Sequence, residues 1–217
     1  MPDQDRHPLP LFLKLEKRRV LVVGGYGEVA EKCQALLEAG ADLTLIAEEA
    51  APFVSQAAQE GRLLWKQRQW CDEDLKDIFL IVSVMESAED TEPLFQRAEE
   101  RSILMNAVDQ PRFCSLIWPA RIDRPPVTVA FSTNGHSPAL AGYLRSQLER
   151  LLPENMGPFA DWLSKQRALT RDYFPDLAAR GRFWRGLFQQ GLAERFLAGE
   201  THAANTMIQR ALEKQEK

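Results

Sequence analysis

The stretch Val20-Leu21-Val22-Val23-Gly24-Gly25-Tyr26-Gly27-Glu28-Val29-Ala30 decides the fold. Four apolar residues, three of them β-branched, read as a buried strand. The glycines that follow read as a turn, and Glu31 to Ala39 carries a helical pattern. Strand, glycine turn and helix in that order form the context in which Gly25-x-Gly27-x-x-Ala30 becomes a dinucleotide-binding fingerprint. Gly25 is expected to make the tight turn, Gly27 to let the backbone approach a pyrophosphate, and Ala30 to let helix pack on strand. Glu28 and Val29 then stand at the helix start, where free N–H groups face the phosphates.

A second apolar run, Leu43-Thr44-Leu45-Ile46-Ala47, ends at Glu48 and Glu49. An acid about twenty residues beyond the glycines accepts hydrogen bonds from the adenine ribose hydroxyls, so Glu48, with Glu49 beside it, is the expected ribose partner. No Lys or Arg occurs between Lys32 and Arg62. A 2′-phosphate finds no basic partner there, and NAD rather than NADP is the expected cofactor.

The alternation continues with a helix at Pro52–Gln59 and a strand at Leu63–Trp65. A fully apolar strand at Ile78–Val84, a helix at Thr91–Arg101 and a strand at Leu104–Val108 follow. Alternating strands and helices imply a parallel sheet. Gly40 and Gly61 stand where helices stop. After Asp109 two β-rich runs, Ser115–Ala120 and Val127–Phe131, joined through Asp123-Arg124-Pro125-Pro126, predict a small added sheet. Ser137-Pro138 is a cap followed by a first-turn proline, opening a helix to about Leu151. From Met156 onward the pattern is helical throughout, and the aromatic residues Phe183, Trp184, Phe188 and Phe196 fall at packing intervals. The expected fold class is α/β: a Rossmann-like parallel sheet with a small added β region and a helical C-terminal domain. The expected division is 1–112, an NAD-binding domain, 113–150, a dimerisation and substrate region, and 151–217, the helical domain.

With 27 basic and 31 acidic residues among 217, the net charge of −4 argues against a nucleic-acid binder. No apolar run has the length of a membrane span, and Met1–Arg6 lacks the pattern of a secretion signal, so a cytoplasmic protein is expected. Cys33, Cys71 and Cys114 are far apart and odd in number, which suits a reducing compartment and no zinc site.

Several ordered motifs now carry a family resemblance. They are Pro10-Leu11-Phe12, the run Val22 to Lys32, Ala39-Gly40-Ala41, Asn106-Ala107-Val108-Asp109, Ile122 to Ala130, Ser132 to Ala141, and Arg182-Phe183-Trp184. From about Pro8 to Arg195 the chain resembles the precorrin-2 dehydrogenase and sirohydrochlorin ferrochelatase that forms the N-terminal half of bacterial sirohaem synthase. The resemblance implies a homodimer that oxidises precorrin-2 to sirohydrochlorin with NAD and then inserts ferrous iron, here without a methyltransferase half. It adds Asn106 to the cofactor-binding residues. The family's loop is Gly-Gly-Gly followed by two residues and Ala, whereas Gly24-Gly25-Tyr26-Gly27 carries one residue more.

The resemblance also assigns roles. Asp109, which before Gln110-Pro111 reads on its own as a turn residue, matches the proposed base of both reactions. The substrate bears eight carboxylates, and Arg112 to Arg150 holds five arginines against Asp123 and Glu149. Arg121 and Arg124 are the expected carboxylate partners. Thr133, Asn134, Gly135 and His136 form the turn expected to face the tetrapyrrole, with His136 where the family commonly has a small hydroxyl residue. No resident metal is expected. The extra loop residue motivates two alternatives, a chelatase and a tetrapyrrole-binding regulatory module, each with a glycine loop that no longer binds NAD.

Overall fold

The computed structural model describes residues 8–214, so the Met1–Arg6 segment read above for a secretion signal lies outside the described residues. The chain forms two compact units that divide between Trp118 and Pro119.

The first unit begins with β1 (Arg19–Val23), α1 (Val29–Glu38), β2 (Asp42–Ile46), α2 (Pro52–Gln59) and β3 (Leu64–Lys66). It continues with β4 (Leu80–Ser83), α3 (Ala88–Glu100) and β5 (Leu104–Ala107). The five strands form one parallel sheet in the order β3-β2-β1-β4-β5. The alternation of a strand sends Val20 and Val22 into one core, with Val29, Cys33, Leu36, Leu43, Leu45 and Val54. Leu21 and Val23 enter the other, with Ile46, Ile81, Leu94 and Met105. Burial on both faces explains why β1 and β4 read as continuous apolar runs. Strand order reverses between β1 and β4, and that switch point is where open α/β sheets bind ligands, beyond the carboxyl ends of the strands.

The predicted strand at Ser115–Ala120 is a correction. The hairpin strand is Ala120–Arg124 instead. Ser115 and Leu116 are held beside β5, where Ser115 N donates to the Met105 carbonyl (2.8 Å) and the Ser115 hydroxyl accepts from Met105 N (2.7 Å). Leu116 and Trp118 pack against the first core, and Pro119 has no N–H to give a ladder.

Two contacts fix the loops of this unit. Beyond β3, the nearly buried Asp74 accepts a bidentate pair from Arg68 (2.6 and 2.7 Å), a bond from Lys66 (2.8 Å) and one from Cys71 N (3.0 Å). Arg68, then Lys66, hold its carboxyl well below the usual carboxylate range. At the carboxyl edge Gly24 N donates to the Ile46 carbonyl (3.0 Å) and Ala51 N to the Gly25 carbonyl (3.0 Å). The loop after β2 thus lies directly on the glycine turn, and a Cβ on Gly25 would stand 1.7 Å from the Glu49 carbonyl oxygen.

The second unit pairs β6 (Ala120–Arg124) with β7 (Val127–Phe131) as an antiparallel hairpin, followed by α4 (Pro138–Leu151). Ser137 caps α4 by accepting from Leu140 N (3.1 Å). Then come α5 (Met156–Tyr173), α6 (Leu177–Gln189), α7 (Leu192–Leu197) and α8 (Thr201–Glu213). Leu187, Leu192, Ala204 and Ile208 form their core, with Trp162, Phe183, Trp184 and Phe196 packed on it. Phe159, Trp162 and Phe196 meet with ring centroids 4.9 to 5.9 Å apart. The aromatic spacing read from the sequence is therefore helix packing. No residue of α4 is buried, and Leu140, Tyr143 and Leu151 are exposed on it.

Gly25→Ala has no room beside the Glu49 backbone, and a misfit of this kind costs about 1–3 kcal/mol or more; the urea midpoint should fall accordingly. Asp74→Asn should lose about 1–2 kcal/mol at neutral pH, because its cationic partners are partly exposed. Folding lowers the Asp74 pKa, so its contribution is full above the unfolded value near ~4 and is lost as the pH falls below it. The gap in urea midpoint between wild type and Asp74→Asn should be constant from about pH 8 to 5.5 and narrow below about pH 4.

Candidate active site

The parallel register places the ends of β1, β2, β4 and β5 along one edge: Val23 pairs with Ile46 and Ser83, and Ser83 with Ala107. The loops that leave that edge carry Gly25, Gly27, Glu28, Val29, Ala30, Glu48, Glu49 and Asp109.

The structure redistributes the expected glycine roles. The turn out of β1 is made by Gly24, at φ +105°, where a Cβ would press on Val84 and Met85 N (2.9 to 3.1 Å). Gly25 instead permits the crossing with the Glu49 backbone. Gly27, at φ +62°, has nothing within 4 Å of where its Cβ would project, so the space beside the start of α1 is open on that side. Val29, fully buried, seals helix against sheet, and Ala30, expected there, is only partly buried.

No side chain caps α1. Its first-turn N–H groups therefore have no side-chain acceptor, and a helix end in that condition suits an anion. Glu28, at the cap position, turns its carboxylate to the Lys32 ammonium (2.7 Å). Lys32 is only 5% exposed, and its ammonium also lies 5.0 Å from the Trp118 ring centroid. Charge pairing and a cation–π contact together let a lysine occupy the inner face of α1. The i, i+4 spacing of Glu28 and Lys32 was visible in the sequence; Trp118, far along the chain, was not.

Tyr26 is 56% exposed, and its hydroxyl donates to the Glu49 carboxylate. That bond raises the Tyr26 phenol above its usual pKa. Glu48 is exposed and pairs with no other described residue. Asn106, expected at the cofactor, is buried in β5 and donates to the Leu116 carbonyl (3.1 Å), holding the exit from the sheet.

Asp109 stands exposed just beyond β5, at φ +58°. An aspartate tolerates this left-handed backbone better than most residues. The neighbouring Gln110 folds back, and its amide nitrogen donates to the Met85 carbonyl (2.7 Å) and the Thr91 hydroxyl (3.1 Å). Its amide oxygen is buried without a partner among the described residues. Sequence reading passed over Gln110, which anchors the Asp109 turn to the loop after β4. Burial pushes the Cys33 thiol up to about 12 and raises Cys114 as well, so both are neutral thiols.

The other expected residues lie in the second unit. Arg121 Nε sits 2.9 Å from Asp123. Arg124, expected at substrate carboxylates, is largely engaged internally. It donates to the carbonyls of Leu152 (3.1 Å) and Asp123 (2.9 Å) and pairs with Glu154 (3.0 Å), joining the hairpin to the end of α4. Thr133, Asn134, Gly135 and His136 form one turn, with His136 N donating to the Thr133 carbonyl (3.0 Å) and the Thr133 hydroxyl donating to the Ser137 carbonyl (3.3 Å). Among the described residues, no three His, Cys, Asp or Glu side chains converge as a metal-ligand set.

Residues 11–120 match the family described as putative NAD(P)-binding, and residues 155–212 match the sirohaem synthase dimerisation region. Siroheme synthase 1 of Serratia proteamaculans is 35% identical over 205 residues, covering 94% of this chain and 43% of its own length. Siroheme synthase 1 of Klebsiella pneumoniae is 36% identical over 210 residues, covering 96% and 44%. The chain thus spans less than half the length of these relatives. The solved structure of SirC, precorrin-2 dehydrogenase, shares the fold with a TM-score of 0.74 at 21% identity, over 96% of this chain and 99% of that one. A glycine turn at the head of an uncapped helix, on a five-stranded parallel sheet matched through residues 11–120, makes this chain a member of the putative NAD(P)-binding family.

Proposed function

We propose that the protein oxidises precorrin-2 to sirohydrochlorin with NAD and also inserts ferrous iron into the product. One observation carries this reading: the open glycine turn, the uncapped start of α1 and the exposed carboxylate of Asp109 all lie on the same carboxyl edge of the sheet. Siroheme synthase relatives at 35 and 36% identity supply the substrate class.

The residues present fit a dinucleotide. Gly27 leaves space where any Cβ would intrude, and α1 offers backbone N–H groups to the pyrophosphate. Glu48 stands free to accept from a ribose hydroxyl, and the acid pair selects NAD over NADP. When bound, NAD accepts the hydride. Asp109 takes the proton that leaves the macrocycle, a task that fits an exposed carboxylate on a turn anchored by Gln110. In chelation the same carboxylate receives a pyrrole N–H proton as ferrous iron, a substrate here, enters the ring. Arg121 and the turn Thr133–His136 are proposed to meet the substrate's carboxylates. Arg124 is proposed to support them by holding the hairpin to α4.

The proposed division follows these roles: an NAD-binding domain over 1–112, a dimerisation and substrate region over 113–150, and a helical domain over 151–217. The match at 155–212 and the wholly unburied α4 support a homodimer. Three unpaired cysteines support a cytoplasmic setting. No helix among the described residues is long and apolar enough to cross a membrane. The Tyr26–Glu49 contact favours a second reading, a tetrapyrrole chelatase that works without NAD.

Anaerobic incubation with precorrin-2 and NAD should yield NADH and the sirohydrochlorin spectrum, and Asp109→Asn should lower kcat about 100-fold or more. Iron uptake by added sirohydrochlorin without any NADH formation would decide for the second reading. Sedimentation should give twice the chain mass; a monomer at all concentrations would refute the dimer.

A further inference from the structure

Tyr26 lies between Gly25, which is pinned against the Glu49 backbone, and Gly27, which faces open space. Its hydroxyl donates to the Glu49 carboxylate. The two loops are already joined through backbone bonds, Gly24 N to Ile46 O and Ala51 N to Gly25 O. The phenol is therefore not needed to keep them together. What it does is link, side chain to side chain, the glycine turn and the acid pair after β2.

In the proposed NAD site those two features hold the pyrophosphate and the adenine ribose, so the link crosses the path between them. A phenol hydroxyl donating to a carboxylate performs the same chemistry as a ribose hydroxyl donating to it. We infer that Tyr26 competes with the cofactor: its phenol occupies the Glu49 carboxylate in the free protein, and the adenine ribose of NAD displaces it on binding. This rests on the proposed NAD site. Being more than half exposed, the ring leaves without unpacking a core. The apparent affinity for cofactor is lowered by the fraction of molecules in which the phenol holds the carboxylate. Glu48, which has no partner among the described residues, remains available to a second ribose hydroxyl throughout.

Tyr26→Phe keeps the ring and deletes the competing donor. In fluorescence titrations of the full chain with NADH, the variant should bind about fivefold more tightly than wild type, the factor that one exposed hydrogen bond of ordinary net strength supplies. NADPH should bind weakly to both, since Glu48 and Glu49 remain. Binding of NADH by the variant alone would support the inference in its strongest form. Equal or weaker binding by the variant, with wild type binding normally, would overturn it and leave the NAD site standing. Failure of both proteins to bind NADH would overturn the inference and the proposed site together.

Discussion

Val20, Leu21, Val22 and Val23 are hydrogen-bonded to strands on both sides and buried on both faces, and the first unit is organised around that double constraint. A strand so placed needs a helix layer above and below. α1 and α2 cover the face of Val20 and Val22, while α3 covers that of Leu21 and Val23. The connection that carries the chain from β3 back across β1 to β4 creates the switch point. The site is thus a by-product of covering one strand twice.

Much of this could be read from the residues because it rests on short-range pattern. The apolar runs, the glycine stops after α1 and α2, the Ser137 cap and the aromatic spacing of the tail are all local signals, and each corresponds to an element of the structure. What the sequence did not show rests on contacts between distant residues. Ser115–Ala120 has strand-like composition, yet Ser115 is captured by Met105, a partner that only the sheet brings near. Arg124 was expected at substrate carboxylates, and the internal partners it has in the structure, Leu152 and Glu154, lie some thirty residues away. Asn106, expected at the cofactor, and Gln110, which the sequence did not single out, likewise have partners far along the chain. Their bonds run to Leu116 and Met85, contacts that no spacing rule encodes.

The glycine loop shows how one fingerprint accommodates an added residue. Gly24 takes over the left-handed turn, Gly25 the close crossing and Gly27 the open side. The motif survives as a division of labour among three glycines rather than as a fixed set of offsets. The buried lysine beneath it follows the same logic. Lys32 is tolerated because Glu28 supplies its counter-charge and Trp118 its apolar cover.

The exposed helix α4 has a consequence for how the second unit is ordered. A helix of 14 residues with no buried side chain draws little stability from its own unit, since most helical stability in proteins comes from burying one face. Its first turn is anchored to the Thr133–His136 turn through the Ser137 cap and the Thr133 hydroxyl. Whatever covers α4 will therefore also slow the opening of that turn. If the cover is a second copy of the chain, hydrogen-exchange protection at residues 133–137 becomes a function of protein concentration. Assembly and the rigidity of the Thr133–His136 turn would then be one equilibrium observed at two places.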